Sequence, residues 1–215
     1  MFLSQKTASV FHMKLLFALL FLTTATGQLL AQDIELPAPQ KSGGMPLMEA
    51  LAKRSTARAF DTRELSSQQL SNLAWAGFGI NRPDGKRTAP SASNVREIEL
   101  YLLLKQGVYT YDAAKNILHQ IAAEDVRKLG GNADAPVTVL FVADLAKRTE
   151  SGEGPKNVAA IDSGFISENI YLYCASEGLV TGYRGGFKRD DLGSKLKLRP
   201  EQAIIAAQTV GFPKN

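Results

Sequence analysis

The order of elements along this chain predicts an α+β fold, and three observations carry that prediction. Residues 98–104, 137–143 and 202–210 are apolar runs, β-branched in the second, as buried strands require. Residues 66–78 and 157–177 place apolar side chains at helical spacing. The two kinds of segment do not alternate as strand–helix–strand units, and there is no internal repeat; the strands at 98–104 and 108–111 follow each other across Lys105-Gln106-Gly107. At 215 residues the chain suits one domain with a sizeable core.

Taken in order, residues 1–31 read as a secretory leader. Lys14 supplies the positive charge, residues 15–22 the apolar stretch, and small residues follow at 23–27, with Met13 a candidate start. The apolar stretch is short of the roughly twenty residues a membrane span needs. Cleavage after Gly27 or Ala31 is therefore expected, an uncleaved anchor being the alternative, and no stable span should remain. Export to the periplasm or medium of a bacterium is the corresponding expectation. Without Lys6 and Lys14 the chain keeps 23 basic against 21 acidic residues, which offers no footprint for nucleic acid.

Residues 32–44, rich in Pro, Gly and polar side chains, predict an extended arm, and 45–215 the folded domain. A helix is expected over 46–53 and a loop over 61–65. Ser66 with Gln69 makes a capping box for a second helix, which Gly77 and Gly79 end. Residues 81–94 form a loop with two prolines and an Asp-Gly turn. Residues 113–123 are expected to be helical, 123–129 a further short helix, and 130–136 a loop. Residues 149–156 are polar and lid-like. Gly178 ends the long helix, 179–184 returns as a strand, Gly185-Gly186 turns, and 190–197 is a short helix.

The segment with most chemistry is Lys53-Arg54-Ser55-Thr56-Ala57-Arg58-Ala59-Phe60. Its guanidinium and hydroxyl donors suit a phosphate, since charge-assisted bonds are about twice as strong as neutral ones; a solvated surface turn is the alternative. The loop at 81–94 offers small side chains and Ser and Asn donors to a flat ligand, or is a plain polar connection. Cys174 is the only cysteine, so no intrachain disulfide can form, and its apolar helical setting points to a core residue. The histidines are His12 and His119 alone, which excludes a multi-histidine metal site; His119 falls inside the expected helix at 113–123.

Together these stretches resemble the FMN-dependent nitroreductase family, in the branch similar to SagB-type dehydrogenases. Four pieces carry the resemblance: Arg54-Ser55 with Arg58 and Phe60, Pro90-Ser91-Ala92-Ser93-Asn94, Glu177-Gly178-Leu179 closing the long helix, and Val210-Gly211-Phe212-Pro213. The resemblance implies a three-layer fold, a central mostly antiparallel sheet flanked by helices, and a homodimer holding FMN at its interface. It implies that Lys53, Arg54, Ser55 and Lys214 contact the phosphate and that Arg58 lies at the pyrimidine edge. Pro90, Ser91, Ala92, Ser93 and Asn94 would arrive from the partner, with Gly185 and Gly186 facing flavin N5. No side chain is expected to be catalytic and no metal is implied. NAD(P)H is a candidate co-substrate, and a nitroaromatic or quinone the expected acceptor. An exported flavin-binding protein that carries or senses a ligand is the alternative. Two departures stand out: Thr56 and Ala57 both separate Ser55 from Arg58, and Arg96-Glu97 replaces the family's Gln-Pro. For Arg96, a substrate-facing or an ion-pairing role is expected.

Overall fold

The computed structural model describes residues 32–214. The leader expected at 1–31 lies outside the described residues. The strands are β1 (Ile34–Glu35), β2 (Phe60–Asp61), β3 (Ile98–Leu104), β4 (Gly107–Asp112), β5 (Ile117–Ala122), β6 (Val137–Asp144), β7 (Val180–Arg184) and β8 (Gln202–Pro213). The α-helices are α1 (Leu47–Lys53), α2 (Ser67–Phe78), α3 (Gly154–Ser176) and α4 (Arg189–Lys195).

The strands run β1-β5-β4-β3-β6-β8-β2, with β7 also on β8, and every ladder is antiparallel. β3, expected to be central, is the middle strand of that path. All residues of β6 are buried, because both sheet faces are covered there. On one face Leu100, Leu102, Val139 and Phe141 pack with Leu73 and Phe78 of α2 and Ile166, Ile170 and Cys174 of α3. On the other, Leu103, Leu140, Val142 and Ala207 pack with Val126 and with Leu192 and Leu196 at α4. Each such side chain contributes about 1.5–3 kcal/mol when fully buried. Helices, sheet and helix thus form the three expected layers.

Local signals set the helix ends. Ser66 Oγ accepts from Gln69 N at 3.2 Å while Gln69 Oε1 accepts from Ser66 N at 2.9 Å, the reciprocal capping box that opens α2. α2 and α3 approach closely at Gly77, where a Cβ would lie 3.2 Å from Ile170 Cγ1.

Residues 113–123 are not helical. Asp112 Oδ1 accepts from the backbone N–H groups of Ala114 and Lys115, Asn116 takes a left-handed φ of 56°, and the chain reverses into β5. The Ala and Lys content favours helix locally, but pairing with β4 and burial of Leu118 override that preference. Residues 123–129 are likewise turns, not a short helix. Within residues 32–44, β1 pairs with β5.

Candidate cofactor site

The basic segment leaves α1 and runs beside β7. Thr56 bridges Thr181 in parallel, and Ala57 N donates to Thr181 O at 2.8 Å. Gly182 permits this approach, since a Cβ there would collide with Ala57 O. Tyr171 of α3 organises the junction. Its hydroxyl accepts from Tyr183 N at 2.9 Å and shares a 3.0 Å hydrogen bond with Thr56 Oγ1, while the Arg54 guanidinium lies 5.2 Å over its ring. Segment, helix and strand are therefore tied at one phenol.

β7 then delivers Arg184, Gly185 and Gly186. Open space surrounds the positions where Cβ atoms would stand on both glycines, leaving room for a flat group. Arg184 runs along Gly131, where a Cβ would lie 2.9 Å from its Cδ, and its buried Nε has no hydrogen-bond partner. Asn132 donates to Arg58 O at 3.2 Å, so the same loop supports both arginines. Burial, and then the charge of Arg58, push the Arg184 guanidinium below its usual range. Among the described residues Arg54, Arg58 and Arg184 have no carboxylate partner. Unpaired donors beside open glycines fit a phosphorylated flat cofactor such as FMN.

The loop at Pro90–Asn94 is held elsewhere. Ala92 N donates to both Asp162 oxygens of α3 at 3.0 and 3.3 Å, and Ser91 Oγ lies 3.4 Å from Glu97 Oε2. Ser93, Asn94 and Arg96 take left-handed φ values of 52°, 55° and 57°, each a strained choice for a residue other than glycine. Beneath them Glu97, fully buried, faces Arg148 at 3.2 Å, and Arg148 also binds Glu150. Glu97 Oε1 and Arg148 Nη1 are close enough to attract but not aligned as a hydrogen bond. The buried ion pair thus belongs to Glu97, while Arg96 donates to the carbonyls of Gly85 and Asn94.

The model of the nitroreductase family matches residues 51–212. The chain belongs to the nitroreductase family. It is 36% identical to a protein assigned as a nitroreductase from Ralstonia eutropha JMP134, whose crystal structure it matches with a TM-score of 0.81 over 85% of this chain and 90% of that one. A protein assigned as a nitroreductase in Methanocaldococcus jannaschii is 25% identical over 80% of this chain and 93% of its own. The structure of a protein assigned as an NAD(P)H:FMN oxidoreductase from Staphylococcus epidermidis is similar in fold, at 16% identity and TM-score 0.58, over 83% of this chain and 92% of that one.

On this nitroreductase fold, Lys53 ends α1, the segment with Arg54, Ser55 and Arg58 runs on beside β7, and Gly185 and Gly186 follow the last residue of β7. Lys214 is exposed one residue past Pro213, which pairs with Phe60, and the β8 register places it beyond the Val180 end of β7, opposite the end that Gly185 and Gly186 follow. Pro90, Ser91, Ala92, Ser93 and Asn94 do not join them within the subunit. Their anchor Asp162 precedes Tyr171 by nine residues on α3, roughly 13 Å along the helix. Sequence reasoning did not single out Tyr171 or Arg184. The signal for Arg184 was its place just before the glycine pair; nothing local marked Tyr171. Cys174 is buried as expected, and burial pushes its thiol up. His119 stands on β5, where it meets Asp33 at 2.7 Å and Asp112 at 3.6 Å.

Proposed function

We propose that this chain is an FMN-dependent oxidoreductase acting as a homodimer. Family membership supports the oxidoreductase class. The observation that carries the cofactor is the run of unpaired cations, Arg54, Arg58 and Arg184, beside the open glycines Gly185 and Gly186. In this reading Lys53, Arg54, Ser55 and Lys214 hold the phosphate, and Arg58 places positive charge at the pyrimidine edge. Gly185 and Gly186 let backbone approach the ring, and Pro90–Asn94 of the partner closes over it. FMN would supply hydride transfer at N5, from a reduced donor such as NAD(P)H to a flat electron-poor acceptor such as a nitroaromatic or quinone. The chain's own part is to bind, orient and charge-balance the cofactor.

A dimer would cover the apolar side chains left in water. Leu47, Met48 and Leu51 of α1 and Ile161 and Phe165 of α3 are 44–75% exposed, and among the described residues Ile121 is the one other large hydrophobe so exposed. Residues 1–31 would direct export in the same reading, and the four stretches that carry the resemblance together favour the branch similar to SagB-type dehydrogenases.

The test is anaerobic titration of the purified protein. It should carry or take up FMN, bleach with NADH or NADPH, and regain colour with a quinone or nitroarene. Protein that cannot be reconstituted with FMN would defeat the proposal.

A further inference from the structure

A second cluster of positive charge lies away from β7, at the two ends of the loop that carries Pro90–Asn94. Arg87 and Arg96 line one cleft of about 320 Å³ with Phe78, Ile98, Glu99, Leu100, Thr110, Tyr111 and Lys147, large enough for a small molecule. Arg87 Nη1 donates to Phe78 O at 3.0 Å and its guanidinium lies 5.1 Å from the centre of the Phe78 ring. Its Nε is buried with no partner. Arg96 reaches in from the other side, held by Gly85 O at 3.2 Å.

The charges around the cleft do not neutralise this pair. Among the described residues neither arginine has a carboxylate ion-pair partner. Glu99 is taken by Lys147 at 3.2 Å and by Gln202 Nε2 at 2.9 Å. Asp112 is taken by His119 and by two backbone N–H groups. Tyr111 donates to Asn116 Oδ1, and burial holds its phenol neutral by raising it to about 12. Two guanidinium forks that face one cavity repel each other unless something anionic sits between them, and each fork matches the planar oxygens of a carboxylate or phosphate.

We infer that Arg87 and Arg96 form a seat for a small oxyanion, carboxylate or phosphate, that draws together the two ends of the loop carrying Pro90–Asn94. The seat stands on its own geometry and does not depend on the flavin reading. Its occupant would offset the repulsion between residues 87 and 96 and so steady the strained turn between them.

Calorimetry of the full chain tests this, with succinate and inorganic phosphate titrated separately at constant ionic strength. At least one should bind with one site per chain, and the tighter of the two identifies the oxyanion. Lys105→Ala, which removes an exposed cation outside both the cleft and the β7 region, should bind that anion as the wild type does. Arg96→Gln should bind it at least tenfold more weakly while keeping its thermal melting profile. In the wild type the Arg87 Nε–H resonance should shift on titration, a readout that does not require any variant to fold. No binding of either anion at millimolar concentration, equal binding by Arg96→Gln, loss of binding in Lys105→Ala, or an unmoved Arg87 resonance would each overturn the seat.

Discussion

The loop at Pro90–Asn94 and the segment at Arg54–Arg58 solve opposite problems. The loop puts strained backbone where it is needed and holds it from below with buried charge: Asp162 on the Ala92 amide, Glu97 against Arg148. The basic segment has no buried ion pair. It is held by the backbone bridge to Thr181, by Asn132 on the Arg58 carbonyl and by the Tyr171 hydroxyl, and among the described residues its cations have no carboxylate partner. The difference teaches where a protein of this kind can place charge. Carboxylates that fix a shape are sequestered and paired, whereas cations meant for a ligand must be left without internal partners, because a paired guanidinium has little left to offer.

The strongest way to break this contrast is Glu97→Ala. Removing Glu97 leaves Arg148 with only the more exposed Glu150 carboxylate, so a loss of roughly 1.5–3 kcal/mol is expected, read as a lower denaturation midpoint. A loss below about 1 kcal/mol would mean that water reaches Arg148 and that the loop is not held by this pair. On the open side, Arg54→Ala should leave melting of the FMN-free protein nearly unchanged and weaken FMN binding. A charge-assisted bond of roughly 1.5–3 kcal/mol corresponds to about 10- to 150-fold in Kd. Unchanged FMN affinity would contradict the phosphate assignment.

Tyr171→Phe sharpens the comparison, because it keeps the ring beneath Arg54 and deletes only the hydroxyl. Loss of its bonds to Thr56 and Tyr183 should cost about 1–2 kcal/mol and loosen FMN binding with it. A variant as stable as wild type would show that the bridge at Thr181 alone holds the segment.

The smallest effect is expected at the arm, whose anchor is charged but exposed. Asp33 accepts from His119 Nδ1 and from Gln120 N, and these hydrogen bonds lower its carboxyl while raising the His119 imidazole. The raised imidazole contributes fully below the ordinary histidine range, and its contribution is lost as pH rises through the raised value. The lowered carboxylate contributes above the ordinary aspartate range and loses its contribution as pH falls through the lowered value. Amide exchange at Ile34 and Gln120 should therefore be slowest, after correction for intrinsic rates, in mildly acidic solution and quicken towards alkaline pH. A flat corrected profile across the histidine range would remove His119 from the anchor.

Much of this architecture was legible before any coordinates. Strands β3, β4, β6 and β8 and helices α1, α2 and α3 announce themselves through apolar period, a capping box and glycine stops, all short-range signals. The miss at residues 113–123 shows the limit of such signals. Ala113-Ala114-Lys115 favours helix locally, whereas Asp112 and Asn116 form a turn in the structure, and only the neighbouring β4 could decide. In the candidate site, the basic residues drew notice because their types suit a phosphate, while Gly185 and Gly186 read locally as a turn and acquired a cofactor role only through the family resemblance. Tyr171 and Glu97 were not assigned their roles, because a phenol on a helix or a carboxylate beside an arginine acquires meaning only from a partner distant in the chain.

Outside residues 113–129, the amino-acid order by itself determined most of the strands and helices, where small residues permit close approach, and which cations could serve a phosphate. Tertiary structure alone decided that β7 would carry the basic segment and the glycine pair to one place, and that Glu97, not Arg96, would be buried in an ion pair. The reason is reach: propensity and periodicity act over a few residues, whereas burial and charge pairing are settled by whatever the fold brings within a few ångströms.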